Sequence, residues 1–176
     1  MDELLIKKAD KLAEWISSQM QVDTTTLFKA VKAGSFDFAD SKVEIKEGVI
    51  GLVGHEFLFL YLHLSDLYVF QMLKEKRDSF QNYVVKKVLH DMEIKIDDAF
   101  IDIYNSRLQE YSTRKRLIAD TSKGETPKDT LFWEFGKRIS SLVSGSPDHI
   151  LLVTTTQSLV VHAWANLWSL ELLHSK

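Results

Sequence analysis

Four ionisable side chains interrupt the most apolar stretch of this chain. His55, Glu56, His63 and Asp66 lie within Val49–Leu73, where Glu56 and Asp66 are the only formal charges. On a helix turning about 100° per residue the four share a sector roughly 100° wide. Glu56 and His63 then stand two turns apart on one face, and His63 and Asp66 stand one turn apart. Imidazoles and carboxylates so placed can bind a divalent metal, exchange a proton, or pair with polar groups of a neighbouring helix. Glu56 and His63 would be the ligands or the acid/base pair, with His55 and Asp66 completing or orienting them.

The stricter motifs for such chemistry are missing. His55-Glu56 opens like a zinc-protease motif, but Phe59 stands where its second histidine belongs. A di-iron bundle needs Glu-x-x-His twice, and Glu56 and Glu93 are followed three residues on by Phe59 and Ile96. Gly48, Gly51 and Gly54 lack the Lys-Ser/Thr of a phosphate loop and read as a kink or a close helix crossing. His162 and Asn166 share a stripe with Thr155, Ser158 and Ser169, which reads as a solvent face. No cofactor is therefore expected, and a divalent metal at Glu56 and His63 is the alternative.

The same sector also carries Leu52, Phe59, Leu62 and Phe70, more apolar bulk than a plain solvent face holds. It is expected either to be buried with its polar groups paired or to be a patch for a partner. Trp164 and Trp168, on a stripe with Gln157 and Glu171, extend the candidate interface to the last helix. Leu52, Phe59, Phe70, Trp164 and Trp168 are thus the interface candidates, and self-association as a homodimer is the expected use. His90 and His174 read as surface residues.

Composition frames these readings. The chain has 176 residues, 45% hydrophobic and 27% charged, enough apolar material for one core and too much for a disordered chain. A formal charge of -3 offers no global attraction to nucleic acid or acidic lipid. Without cysteine there are no disulfides, thiolate metal sites or cysteine nucleophiles. Its seven glycines and two prolines argue against a turn-rich β fold. The acidic start and early lysines do not read as a secretory signal, and polar groups interrupt both apolar stretches, so no membrane span and a cytoplasmic setting are expected.

Helices must position the candidates. Leu5, Ala9, Leu12, Ile16 and Met20 predict a first helix over residues 2–21, and Asp23 could cap a second one ending at Gly34. Phe36 and Phe38 are expected to hold a loop against the core. Ser41 with Glu44 suggests a capping box for a long helix over residues 42–76. Val43 and Ile45 leave a small hairpin over residues 42–54 as the alternative. A fifteen-residue helix follows, then one capped by Asp97 and ending near Arg114-Lys115-Arg116. Thr126-Pro127 and Ser146-Pro147 each announce a helix, with Gly145 closing the first of them and the second reaching Leu173. The threonine triplet 154–156 is the main risk of a strand. The expected fold is all-α: a single-domain antiparallel bundle of six to seven helices, residues 1–176, around a long apolar central helix.

Overall fold

The computed structural model describes residues 1–36, 43–114, 116–170 and 172, the side chain of Thr121 excepted. Among them the only regular structure is helical: α1 (Glu3–Lys32), α2 (Val49–Leu73), α3 (Arg77–Asp91), α4 (Asp98–Ser112), α5 (Leu131–Ser144) and α6 (Ile150–Ser169), with short 3-10 turns at Lys74–Lys76 and Thr121–Lys123. The threonine triplet is helical, and no strand forms at residues 43–54.

α1 begins where the Asp2 carboxylate accepts from the Leu5 amide at 2.9 Å. It runs unbroken through Asp23, so the expected division into two helices does not occur. Met20, Thr24, Leu27, Phe28 and Val31 continue the buried stripe across that point. The Asp23 carboxylate is occupied by Tyr61 of α2 and does not compete for backbone amides. The helix stops at Gly34, whose φ of 72° is open to glycine at little cost. Gly34 donates to the Val31 carbonyl and Ser35 to that of Ala30, the paired bonds of a Schellman ending.

The long helix expected over residues 42–76 is shorter at both ends. It starts at Val49, after Gly48 in a left-handed conformation, and gives way to the 3-10 turn at Lys74. Phe38, Ser41 and the proposed capping box lie outside the described residues, as do Lys115, Glu171, Leu173 and His174. α2 is apolar on all sides and is packed on all sides: every residue from 56 to 65 is buried. α1, α3, α4, α5 and α6 all touch it. Burying a large apolar side chain contributes about 1.5–3 kcal/mol, so Phe57, Leu58, Leu60, Tyr61, Leu62 and Leu64 make α2 the main source of cohesion.

The starts of α5 and α6 also fall later than the proline signals suggest. α5 starts at Leu131, because the Leu131 and Phe132 amides donate to the Arg116 and Leu117 carbonyls at 2.9 and 3.1 Å. That long-range cap replaces the local one at Thr126. α5 ends at Gly145 as expected, and α6 begins at Ile150. The two pack along each other because residue 136 is a glycine. A Cβ there would lie 2.7 Å from the Val153 carbonyl oxygen. The close crossing is therefore made at Gly136; Gly51 faces open space and Gly54 meets α1 at ordinary contact distance. By length and composition α6 could cross a membrane; here it lies along α5 with Leu152, Val153, Thr156, Val160, Ala163 and Leu167 turned inward.

Candidate docking groove

The four ionisable residues of α2 do not meet at one centre, because each is drawn to a different neighbour. Glu56 is buried, and Arg107 of α4 holds it through Nε at 2.9 and 3.0 Å and Nη2 at 2.7 Å. Arg138 of α5 approaches the same carboxylate at 3.6 Å and also donates to Glu110 of α4. Arg107 lies 3.8 Å from Glu110. Two carboxylates and two guanidiniums thus alternate where α2, α4 and α5 meet. Planar guanidiniums suit such multiple pairing.

Asp66 is held elsewhere. Arg77, at the start of α3, donates to it through Nε at 2.8 Å and lies over the Phe70 ring at 5.3 Å. That clamp fixes the corner between α2 and α3. His63 is buried with its ring 5.5 Å from Tyr111, and burial lowers its pKa against the opposing pull of Asp66. His55 is exposed, its ring stacked on Phe59 at 6.4 Å. Among the described residues no three His, Cys, Asp or Glu side chains stand close enough to hold a metal ion.

The interface candidates separate as well. Leu52 and Phe70 are 54% and 57% exposed. They lie eighteen residues apart in sequence, about 27 Å along the helix, so they do not form one patch. Phe59 is only 2% exposed, because Phe100 and Tyr104 of α4 close over it at 5.4 and 5.7 Å. It is the floor of a contact inside the chain. Trp164 and Trp168 are half-buried and packed edge-on to each other, with Trp168 also against Tyr68 of α2.

These placements leave a groove. α4 leans on α2 through Phe100 and Tyr104 in its first half and through Arg107 and Tyr111 in its second. Apart from Tyr111, none of its residues is fully buried, and Ile101 and Ile103 are 42% and 48% exposed. Between α2, α4, the 92–97 link and Leu142 of α5 runs an open groove of about 730 Å³. Leu52, Ile94, Phe100 and Ile103 give it an apolar floor above the covered Phe59, with Glu56 and Arg107 at its inner edge. Arg107, Arg138 and Ile94 were not singled out from the sequence, where the only local hint was the spacing of Arg107 and Glu110 by three on one helix; Ile103 belongs to the apolar stripe expected of α4 with Phe100, Tyr104, Leu108 and Tyr111, yet is 48% exposed.

A second buried carboxylate was read as a cap. Asp23 of α1 is 3% exposed and accepts from the Tyr61 hydroxyl and from Gln19 Nε2, the latter at 2.9 Å. Burial raises its pKa, opposed in turn by those two hydrogen bonds and by His162 of α6. Burial also pushes the Tyr61 hydroxyl well up, with the Asp23 charge adding to it. A neutral donor pair, with no cation bonded, is a poor solvent for a carboxylate, and the direction of the shift follows.

Comparison with protein-family models, with curated proteins and with solved structures finds no match for this chain.

Proposed function

We propose that this chain is a soluble, cytoplasmic helical binding protein, and that the groove between α2 and α4 is its docking surface for apolar side chains of another polypeptide. The observation that carries this reading is an apolar floor left open beside a helix fixed by a charged network. Leu52 and Ile103 stay about half exposed there, although the same helices bury Phe59 and Tyr111 almost completely. A monomer that exposes such a contiguous patch gains by covering it. The paired Glu56 and Arg107 hold the groove in shape, so little ordering has to accompany binding. In this reading the chain is one antiparallel bundle of six to seven helices over residues 1–176, with α4 as its least supported member.

The self-association expected from the sequence would use this same surface, closed on a second copy through Leu52 and Ile103. Sedimentation across a wide concentration range tests it beside Ile103→Glu. A wild-type dimer that this exposed substitution converts to monomer places a second copy in the groove. If wild type and variant are both monomers, and no apolar peptide binds either, the docking reading fails.

A further inference from the structure

The floor and the rim of the groove differ in kind, and the rim indicates what the occupant carries. Over residues 91–102 five carboxylates face one lysine, a concentration of negative charge unlike the rest of the chain. Asp91 is paired with Lys87. Glu93, Asp97, Asp98 and Asp102 are exposed, and among the described residues none of the four takes part in an ion pair. Glu93, Lys95 and Asp97 line the groove itself, and Asp97 also caps α4 through the Phe100 amide.

Resting on the reading of the groove as a docking surface, we propose that its occupant is an amphipathic helix of a partner protein, apolar on one face and rich in lysine or arginine beside it. The lining runs from Leu52 to the covered Phe59 on α2 and from Ala99 to Arg107 on α4. That is about 12 Å, two turns of a helix, and it accepts side chains spaced i, i+3 or i+4, and i+7. Cations flanking those anchors would meet Glu93 and Asp97. A second copy is the poorer occupant. Two-fold pairing of this patch with itself sets the acids of one chain against those of the other, and like charges across an interface cost affinity.

The test uses two labelled helical peptides of roughly 16 residues, sharing one leucine stripe and carrying either lysines or glutamates elsewhere. Binding to the full chain is followed by fluorescence anisotropy. The lysine peptide should bind at least about tenfold more tightly than the glutamate peptide, and the margin should shrink in high salt. Glu93→Gln with Asp97→Asn should weaken it several-fold, asparagine keeping the cap of α4. Ile103→Asp should weaken it further despite adding a negative charge, which a merely electrostatic attraction would not do.

Equal binding of both peptides overturns the basic partner while leaving the groove as a docking surface. Binding of neither overturns both. Lysine-peptide binding that survives Ile103→Asp overturns the proposal, because the floor is then not used. A dimer that Ile103→Asp abolishes gives the groove to a second copy and overturns it likewise.

Discussion

Asp23 and Glu56 are both carboxylates buried where α2 meets its neighbours, and the two junctions accommodate them by opposite means. At the seam of α1 and α2, Asp23 meets a phenol and an amide. Where α2, α4 and α5 meet, Glu56 meets two guanidiniums, with Glu110 completing an alternating set. The first arrangement belongs to a seam with a broad apolar contact, with Leu12, Ile16, Leu27 and Val53 all fully buried. The second stands in for packing that α4 lacks. Hydrogen bonds from neutral donors suffice where apolar contact already holds two helices. Ion pairs across three helices are found where one of them has few buried residues.

The sharpest way to break this contrast is to delete the acid at the ionic junction. Glu56→Ala leaves Arg107 short of its main acceptor and Arg138 with Glu110 alone, in a half-buried setting. It should cost about 3 kcal/mol in urea denaturation, the low end for a buried pair broken on one side. Amide exchange in α4 should accelerate before that in α1. A loss below about 0.5 kcal/mol, or uniform acceleration, would show that the aromatic contacts of Phe100 and Tyr104 hold α4 by themselves.

Removing a neutral donor at the other junction should matter less. Tyr61→Phe deprives Asp23 of one of its two bonds and should cost about 1–2 kcal/mol. A loss equal to that of Glu56→Ala would mean that the two junctions do not differ in the way described.

The smallest effects are in pH dependence, and they have opposite signs at Asp23 and His63. Asp23 has its folded pKa raised above its ordinary 3.8, so its contribution is fully present below 3.8 and is lost as pH rises through the folded value. Asp23→Asn should therefore be no less stable than wild type at neutral pH, with that part of the pH dependence removed. His63 is lowered below 6.5 by burial; its contribution is present above 6.5 and is lost as pH falls through the folded value. His63→Gln should flatten the acid-side decline. Thermal melts at several pH values report both, and matching slopes for the two variants would contradict the assignment.

Much of the fold was legible because its signals are local. Asp97 caps α4 three residues on, Gly34 and Gly145 stop α1 and α5, and the apolar run of α2 is central because it carries apolar residues on every side. Reading failed where a distant contact outbid a local one. Asp23 and Thr126-Pro127 carry good start signals, but Tyr61 takes the first and the Arg116 and Leu117 carbonyls replace the second. The candidate site was half visible for the same reason. His55, Glu56, His63 and Asp66 do share a side of α2, yet a helical projection gives their direction and not the identity of what stands opposite.

The sequence by itself determined that this protein is helical, that α2 is its axis, and that a few charges must be accommodated inside. Caps, glycine stops and apolar spacing act within one or two turns, so a linear reading captures them. Only the tertiary structure decided that Glu56 pairs with Arg107, 51 residues away, that Tyr61 reaches back 38 residues to Asp23, and that α4 covers Phe59 while leaving Leu52 beside an open groove. Those outcomes depend on how helices distant in sequence lean on one another, and no local preference specifies that angle.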